Sequence, residues 1–196
     1  MGYSQAQKAQ SRQRVLETAS RQIRERGFEA LGVAECMRSA GLTHGAFYGH
    51  FSSRDALIVE ALDYAIAESG KRFEAPGGLA GDQNKGEISL STLAERFLSE
   101  RHVKDPGNGC ALCALAGEGR HAGPEVRERL TRYVDALALR IAQSLATDQK
   151  GRALGIVATL VGAVTLARVV ESDREAKAIL DSSLALILAK PQDVLK

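Results

Sequence analysis

Val15, Leu16, Ala19 and Ile23 recur at helical spacing over residues 9–26, with arginines on the remaining faces. The same rhythm continues along the chain, and no strand-like alternation interrupts it. Such a pattern confines the chain to packed helices. Aromatic residues make up only 5 % of the sequence and tryptophan is absent, so the core must be aliphatic. Gly27 is placed to close the first helix, and a second over 33–40 stops at Gly41. Thr43 reads as the N-cap of a short helix over 44–50. Ser52 and Asp55 fit a capping pattern opening a long helix that runs to Phe73. The Gly-rich polar stretch 75–89 reads as a connection. Further helices are expected at 90–102, 110–119, 125–146, 151–171 and 174–189, giving an all-α fold.

Charge is distributed unevenly. Residues 1–54 hold eight Lys or Arg against four Glu, a balance of +4, whereas the rest hold eighteen bases and twenty acids, a balance of −2. A basic N-terminal quarter on a slightly acidic body suits a module that meets a polyanion, though a solvated arginine-rich helix face gives the same count. Three cysteines, an odd number, and a polar N-terminus without an apolar segment point to a reducing, cytoplasmic setting. The longest uncharged apolar run, Ala153–Ala167, has fifteen residues. A bilayer needs roughly 20, so no membrane partner is expected.

The densest chemistry lies in "GLTHGAFYGHFSSRDAL", residues 41–57. Residues 33–50 have helix-turn-helix proportions: a short helix, a turn at Gly41-Leu42-Thr43, then a second short helix. Phe47 and Phe51, four apart, are expected to anchor the second helix in the core. His44 and Tyr48 would then share an outer face, and Gly45 and Gly49 would form a strip of nearly bare backbone. That surface suits the major groove, with Thr43 and His44 at the helix start near base edges and the Tyr48 hydroxyl donating to a phosphate. Arg54 adds a cation on the next helix.

This segment resembles the TetR family of bacterial transcriptional regulators, whose pattern A-G-hydrophobic-S/T-x-G-x-F/L-Y-x-H-F followed by S/N-K/R-x-x-L is matched by "AGLTHGAFYGHFSSRDAL". The resemblance spans about Arg12 to Leu62. It implies an N-terminal three-helix DNA-binding domain over residues 1–54, joined to a larger helical ligand-binding and dimerisation domain over 55–196. It also implies a homodimer on a palindromic double-stranded operator, released by a small-molecule effector. Carried over residue by residue, Thr43, His44, Gly45 and Ala46 match the groove-facing start of the recognition helix. Tyr48, His50 and Arg54 match residues that hold the DNA backbone, with Arg12 in a basic N-terminal arm that includes Lys8 and Arg14. Leu31 and Gly32 stand where the family usually has a phosphate-touching Thr or Ser, and Gly49 where larger polar side chains are common.

The C-terminal body offers three further groups. Gly151, Gly155, Ala158, Gly162 and Thr165 form a small-residue stripe that, with Leu184 and Leu188 of the last helix, suits a four-helix seam between two subunits; close packing within one chain is the alternative. Leu154, Val157, Val161 and Val164 are expected to fill the protomer's core. An effector pocket is expected to draw on Phe97, His102, Arg120, His121, Tyr133 and Arg168. Cys110 and Cys113 form a C-x-x-C that reads either as a thiol sensor of oxidants or electrophiles, or as two buried small residues. Cys36 is expected in the core. No metal site or cofactor is expected, because the C-x-x-C has no second ligand pair. Thiol–disulfide exchange is the one enzymatic candidate, and it lacks the βαβ context of such enzymes, so no catalysis is expected. A basic helical module binding nucleic acid without sequence preference is a further alternative.

Overall fold

The computed structural model describes residues 5–74 and 89–189. The α-helices are α1 (Gln5–Arg26), α2 (Val33–Ser39), α3 (Arg54–Glu74), α4 (Leu90–Phe97), α5 (Glu100–Lys104), α6 (Ala111–Leu115), α7 (Pro124–Gln143), α8 (Ala153–Ala167) and α9 (Asp173–Leu188). Short 3-10 helices occupy His44–Gly49, Pro106–Asn108 and Thr147–Arg152. No strand occurs among the described residues. Two compact units result: residues up to Glu68 with Pro106–Leu130, and Ser69–Asp105 with the residues from Thr131 onward. The Gly-rich stretch 75–88 lies outside the described residues.

In the first unit, α1 buries Val15, Leu16, Ala19 and Ile23, the face expected from its spacing. It stops at Gly27, whose φ of 85° is left-handed and whose N–H donates to Ile23 O at 2.8 Å. α2 ends in a Schellman motif: Gly41 (φ 75°) donates to Arg38 O at 3.0 Å and Leu42 to Met37 O at 2.9 Å. Leu31, just before α2, is 2 % exposed and belongs to the core with Phe28, Cys36, Met37, Phe47, Phe51, Leu57 and Leu62. The cap of α3 is Ser53, not Ser52: its Oγ accepts the Ala56 N–H at 3.0 Å, so α3 begins at Arg54. Polar contacts join the segment Pro106–Leu130 to α1 and to the turn that follows it. Arg24, buried, donates to Gly109 O at 3.2 Å, and the Glu118 carboxylate accepts the Phe28 N–H at 2.9 Å.

In the second unit the helix expected over 90–102 is broken. Leu98 leaves helical geometry (φ −88°, ψ 41°), and Ser99 caps a new helix by accepting the His102 N–H at 3.3 Å. α8 buries Ile156, Val157, Leu160, Ala163 and Val164 and packs on α9. Arg152 ties the two by donating to Ile187 O and Ala189 O at 3.3 and 3.2 Å. α9 opens on a reciprocal cap: Ser172 Oγ accepts the Glu175 N–H at 3.1 Å and donates to the Glu175 carboxylate at 3.0 Å. Leu154 departs from its expected core position and is 59 % exposed, while Val161 is half-buried. Thr147–Ala167 is long and apolar enough to cross a membrane, with a mean hydropathy of 1.4. Of that apolar window 39 % is buried, with α8 packed on α9.

Candidate nucleic-acid interface

The reading element is His44–Gly49, and it is a 3-10 helix rather than the expected α-helix. Ala46 N–H reaches Thr43 O at 3.1 Å and His50 N–H reaches Phe47 O at 2.8 Å, both three residues back. With three residues per turn, the pairs His44/Tyr48 and Gly45/Gly49 do not stack one above the other as they would in an α-helix. They still face outward. Thr43, His44, Gly45, Tyr48 and Gly49 are exposed, Ala46 and His50 half-buried, and Tyr48 keeps 75 % of its surface in solvent. Thr43 occupies the N-cap position without using its side chain in a cap bond. Beyond Gly45 and Gly49 there is open space, since a Cβ built at either meets nothing within 4 Å.

Phe47 fastens this element from behind. It is 2 % exposed, stacks on Phe51 at 5.8 Å and meets Tyr48 edge-on at 5.2 Å. His50 closes the element. Its pKa is lowered from the usual histidine value, first by burial and then by the charges of Lys8 and Arg12. Its buried Nδ1 has no hydrogen-bond partner among the described residues.

Two expected DNA-backbone residues are engaged within the fold. Arg54 donates to Phe28 O, Leu31 O and Glu29 O at 2.7, 3.0 and 3.1 Å, bracing the turn between α1 and α2 against α3. Arg12 is paired with the Glu60 carboxylate and lies over the Phe51 ring at 4.8 Å. Sequence reasoning had no signal for either partner, because both lie far along the chain. Arg14 and Arg38, outside the expected contacts apart from Arg14's place in the arm, are both exposed.

The expected pocket residues divide between the units. Phe97 and His102 meet edge-on at 4.9 Å, and His102 Nδ1 lies 2.7 Å from Phe97 O. Arg168 caps that corner, donating to His102 O and Val103 O at 2.8 and 3.3 Å. Burial is the main cause that lowers the His102 pKa to about 4, reinforced by Arg168 and Arg72. Tyr133 is buried in the same unit. Arg120 and His121 are exposed in the other unit, where His121 lines a groove of about 520 Å³ with Phe28, Arg54 and Val126.

Cys110 and Cys113 are buried and not disulfide-bonded, and α6 begins only at Ala111, with Cys110 at its N-cap position. Burial raises the Cys36 pKa to about 11, and its Sγ faces Val15 O at 3.8 Å, so it is a core thiol. Among the described residues no group of three or more His, Cys, Asp or Glu is arranged to hold a metal ion.

Comparison with known proteins agrees with this geometry. The profile of bacterial regulatory proteins of the tetR family matches residues 15–61. An uncharacterised HTH-type transcriptional regulator of Mycobacterium tuberculosis is 30 % identical over 174 residues, 81 % of this chain and 84 % of the relative. An HTH-type regulator of Bacillus subtilis, YerO, is 32 % identical over 97 residues, 49 % of this chain and 33 % of its own. Among solved structures, a TetR transcriptional regulator from Chloroflexus aurantiacus superposes with a TM-score of 0.74 at 23 % identity, covering 93 % of this chain and 94 % of the other. Escherichia coli NemR in its reduced form gives 0.68 at 18 % identity, covering 91 % and 95 %. At such identities the structures establish a shared fold. The curated relatives are transcriptional regulators, a non-enzymatic class. With the helix-turn-helix, the family profile and a relative matched over most of its length, the chain belongs to the TetR family and is a DNA-binding transcriptional regulator.

Proposed function

We propose that the protein is a homodimeric, cytoplasmic repressor that occupies a palindromic operator and is released by a small-molecule effector. The observation that carries the reading is the outward edge Thr43–His44–Gly45–Tyr48, with open space beyond its glycines and a buried Phe47 holding it from behind. Thr43, His44, Gly45 and Ala46 are assigned to base edges and Tyr48 to the backbone, with His50 supporting the element's end. Arg54 and Arg12 act in this reading by keeping the element's supports in place.

The dimer is supported by the open side of α8 and α9. Gly151, Gly155, Ala158 and Thr165 are exposed there, Gly162 and Leu184 half-buried, and Leu154, Leu166, Val169, Leu186 and Leu188 expose 59, 57, 74, 53 and 41 % of their surface. A run of exposed aliphatic side chains around a strip of small ones suits a self-complementary helical seam. The effector is assigned to the unit that holds Phe97, His102, Tyr133 and Arg168.

Random-duplex selection with the reduced protein tests this reading. The expected product is a pair of inverted half-sites bound by two protomers. An asymmetric single site, or binding by one protomer, overturns the dimer; absence of any enrichment overturns sequence-specific repression.

A further inference from the structure

The residues from Thr43 to Phe51, "THGAFYGHF", include no Lys or Arg. Duplex affinity comes largely from cations that neutralise phosphates and release counterions, so another part of this unit must supply them. Most of its guanidinium groups are already engaged. Arg12 is held by Glu60 and Phe51, Arg21 by Glu25 at 2.8 Å, Arg26 by Glu35 at 2.8 Å and Arg129 by Asp63 at 2.9 Å. Arg24 is buried against Gly109 O, and Arg54 is spread over three carbonyls. Arg120 precedes α7 and is exposed, and Arg127, within α7, donates to the Arg120 backbone O at 3.0 Å; both lie on a segment far along the chain from the reading element.

Among the arginines of α1 and α2, Arg14 and Arg38 differ from the engaged ones. Both are exposed; Arg14 donates to Ser11 Oγ at 3.3 Å, and neither is ion-paired to a carboxylate among the described residues. Both also stand beside one turn. Arg14 Nη1 lies 3.9 Å from where a Cβ on Gly41 would stand, and Arg38 is three residues before Gly41 in the last turn of α2, where its backbone carbonyl accepts the Gly41 N–H at 3.0 Å. Gly41 is exposed and two residues ahead of Thr43, so the Arg14 guanidinium and the Arg38 backbone flank the turn by which the chain enters the reading element.

We infer that Arg14 and Arg38 form a phosphate clamp on the duplex backbone at that turn, supplying the sequence-independent affinity that the neutral reading element lacks. Arg14 comes from α1 and Arg38 from the last turn of α2, so the clamp sets the element's register without reading bases. Gly41 is required for the left-handed backbone of the turn at φ 75°, and a Cβ there would lie in ordinary contact with the Arg14 guanidinium.

The test is a titration of the full-length protein with a labelled duplex of arbitrary sequence, repeated across salt concentration. Arg14→Ala and Arg38→Ala are each expected to lower the slope of log affinity against log salt by about 0.9, so that each loses about 3.5-fold less affinity than the parent over a fourfold rise in salt. Arg38→Lys keeps the parent slope. Arg26→Ala, which removes an equal charge already paired with Glu35, leaves the slope unchanged. Thermal melting of the variants is expected to match the parent, since neither side chain is buried. Parent-like slopes in Arg14→Ala and Arg38→Ala overturn the clamp while leaving DNA binding intact. An equal loss in Arg26→Ala also overturns it, because net charge rather than position would then be responsible. A parent that binds no duplex removes the DNA-binding reading and the clamp with it.

Discussion

Gly27→Ala joins two costs that the structure allows to be separated. At φ 85° an alanine adopts a left-handed conformation costing about 1–2 kcal/mol. Its Cβ would also stand within 2.9 Å of the Glu118 carboxyl carbon, so the carboxylate must withdraw. Phe28 is 5 % exposed, and its N–H then loses the acceptor it holds at 2.9 Å. A buried donor stripped of its partner costs about 1–3 kcal/mol, which brings the substitution to about 2–5 kcal/mol. In a Glu118→Ala background the second cost has already been incurred, and Gly27→Ala should cost only the backbone part. The four proteins of this cycle, compared by urea denaturation, are expected to show a coupling of about 1–3 kcal/mol. Equal costs of Gly27→Ala in both backgrounds would refute the argument, because the carboxylate would then play no part in the glycine requirement.

Three further outcomes are expected. His102 is neutral in the folded state down to about pH 4, whereas an unfolded histidine takes up a proton below about 6.5. Stability is therefore full above about pH 6.5 and falls on acidification, by about 1 kcal/mol between pH 7.5 and 5.5 and about 3 kcal/mol once pH is below 4; denaturation midpoints that fall equally in His102→Gln would remove this histidine as the cause. Gly155→Leu with Gly162→Leu should give monomers by sedimentation with an intact helical spectrum, because a Cβ at either site meets nothing within 4 Å of the chain itself; a dimer of unchanged affinity would refute the assigned seam. Gly49→Lys places a cation in open space beside Tyr48 and should steepen the salt dependence of duplex binding by about 0.9, with an unchanged slope counting against the outward orientation of this position.

The helices were largely legible because their signals are local. Gly27 and Gly41 announced left-handed stops, and the spacing of Val15, Leu16, Ala19 and Ile23 announced the buried face of α1. Phe47 and Phe51 similarly marked the inner side of the reading element. Short-range competition was harder to read. Ser52 and Ser53 both precede α3, and only the bond from Ala56 N–H to Ser53 Oγ decides between them. Ser99 restarts a helix inside the stretch 90–102 that reads as a single helix, and the tightening of His44–Gly49 into a 3-10 helix has no sequence signature beyond its two glycines. Long-range partners were not legible at all. Arg12 and Arg54 read as basic residues beside a helix-turn-helix, yet Glu60 and the carbonyls of residues 28–31 engage them. Leu154 carried the same ambiguity, since an aliphatic residue on an apolar helix does not declare whether its own chain or another surface covers it.

The central claim is that the exposed edge of His44–Gly49 reads bases while its flank holds phosphate. Random-duplex selection run in parallel on the parent, His44→Ala and Tyr48→Phe tests it most directly. His44→Ala is expected to relax preference at one base-pair position in each half-site by about 1–3 kcal/mol, while Tyr48→Phe weakens every sequence alike. An unchanged preference in His44→Ala, or a Tyr48→Phe that alters which bases are chosen, would contradict it.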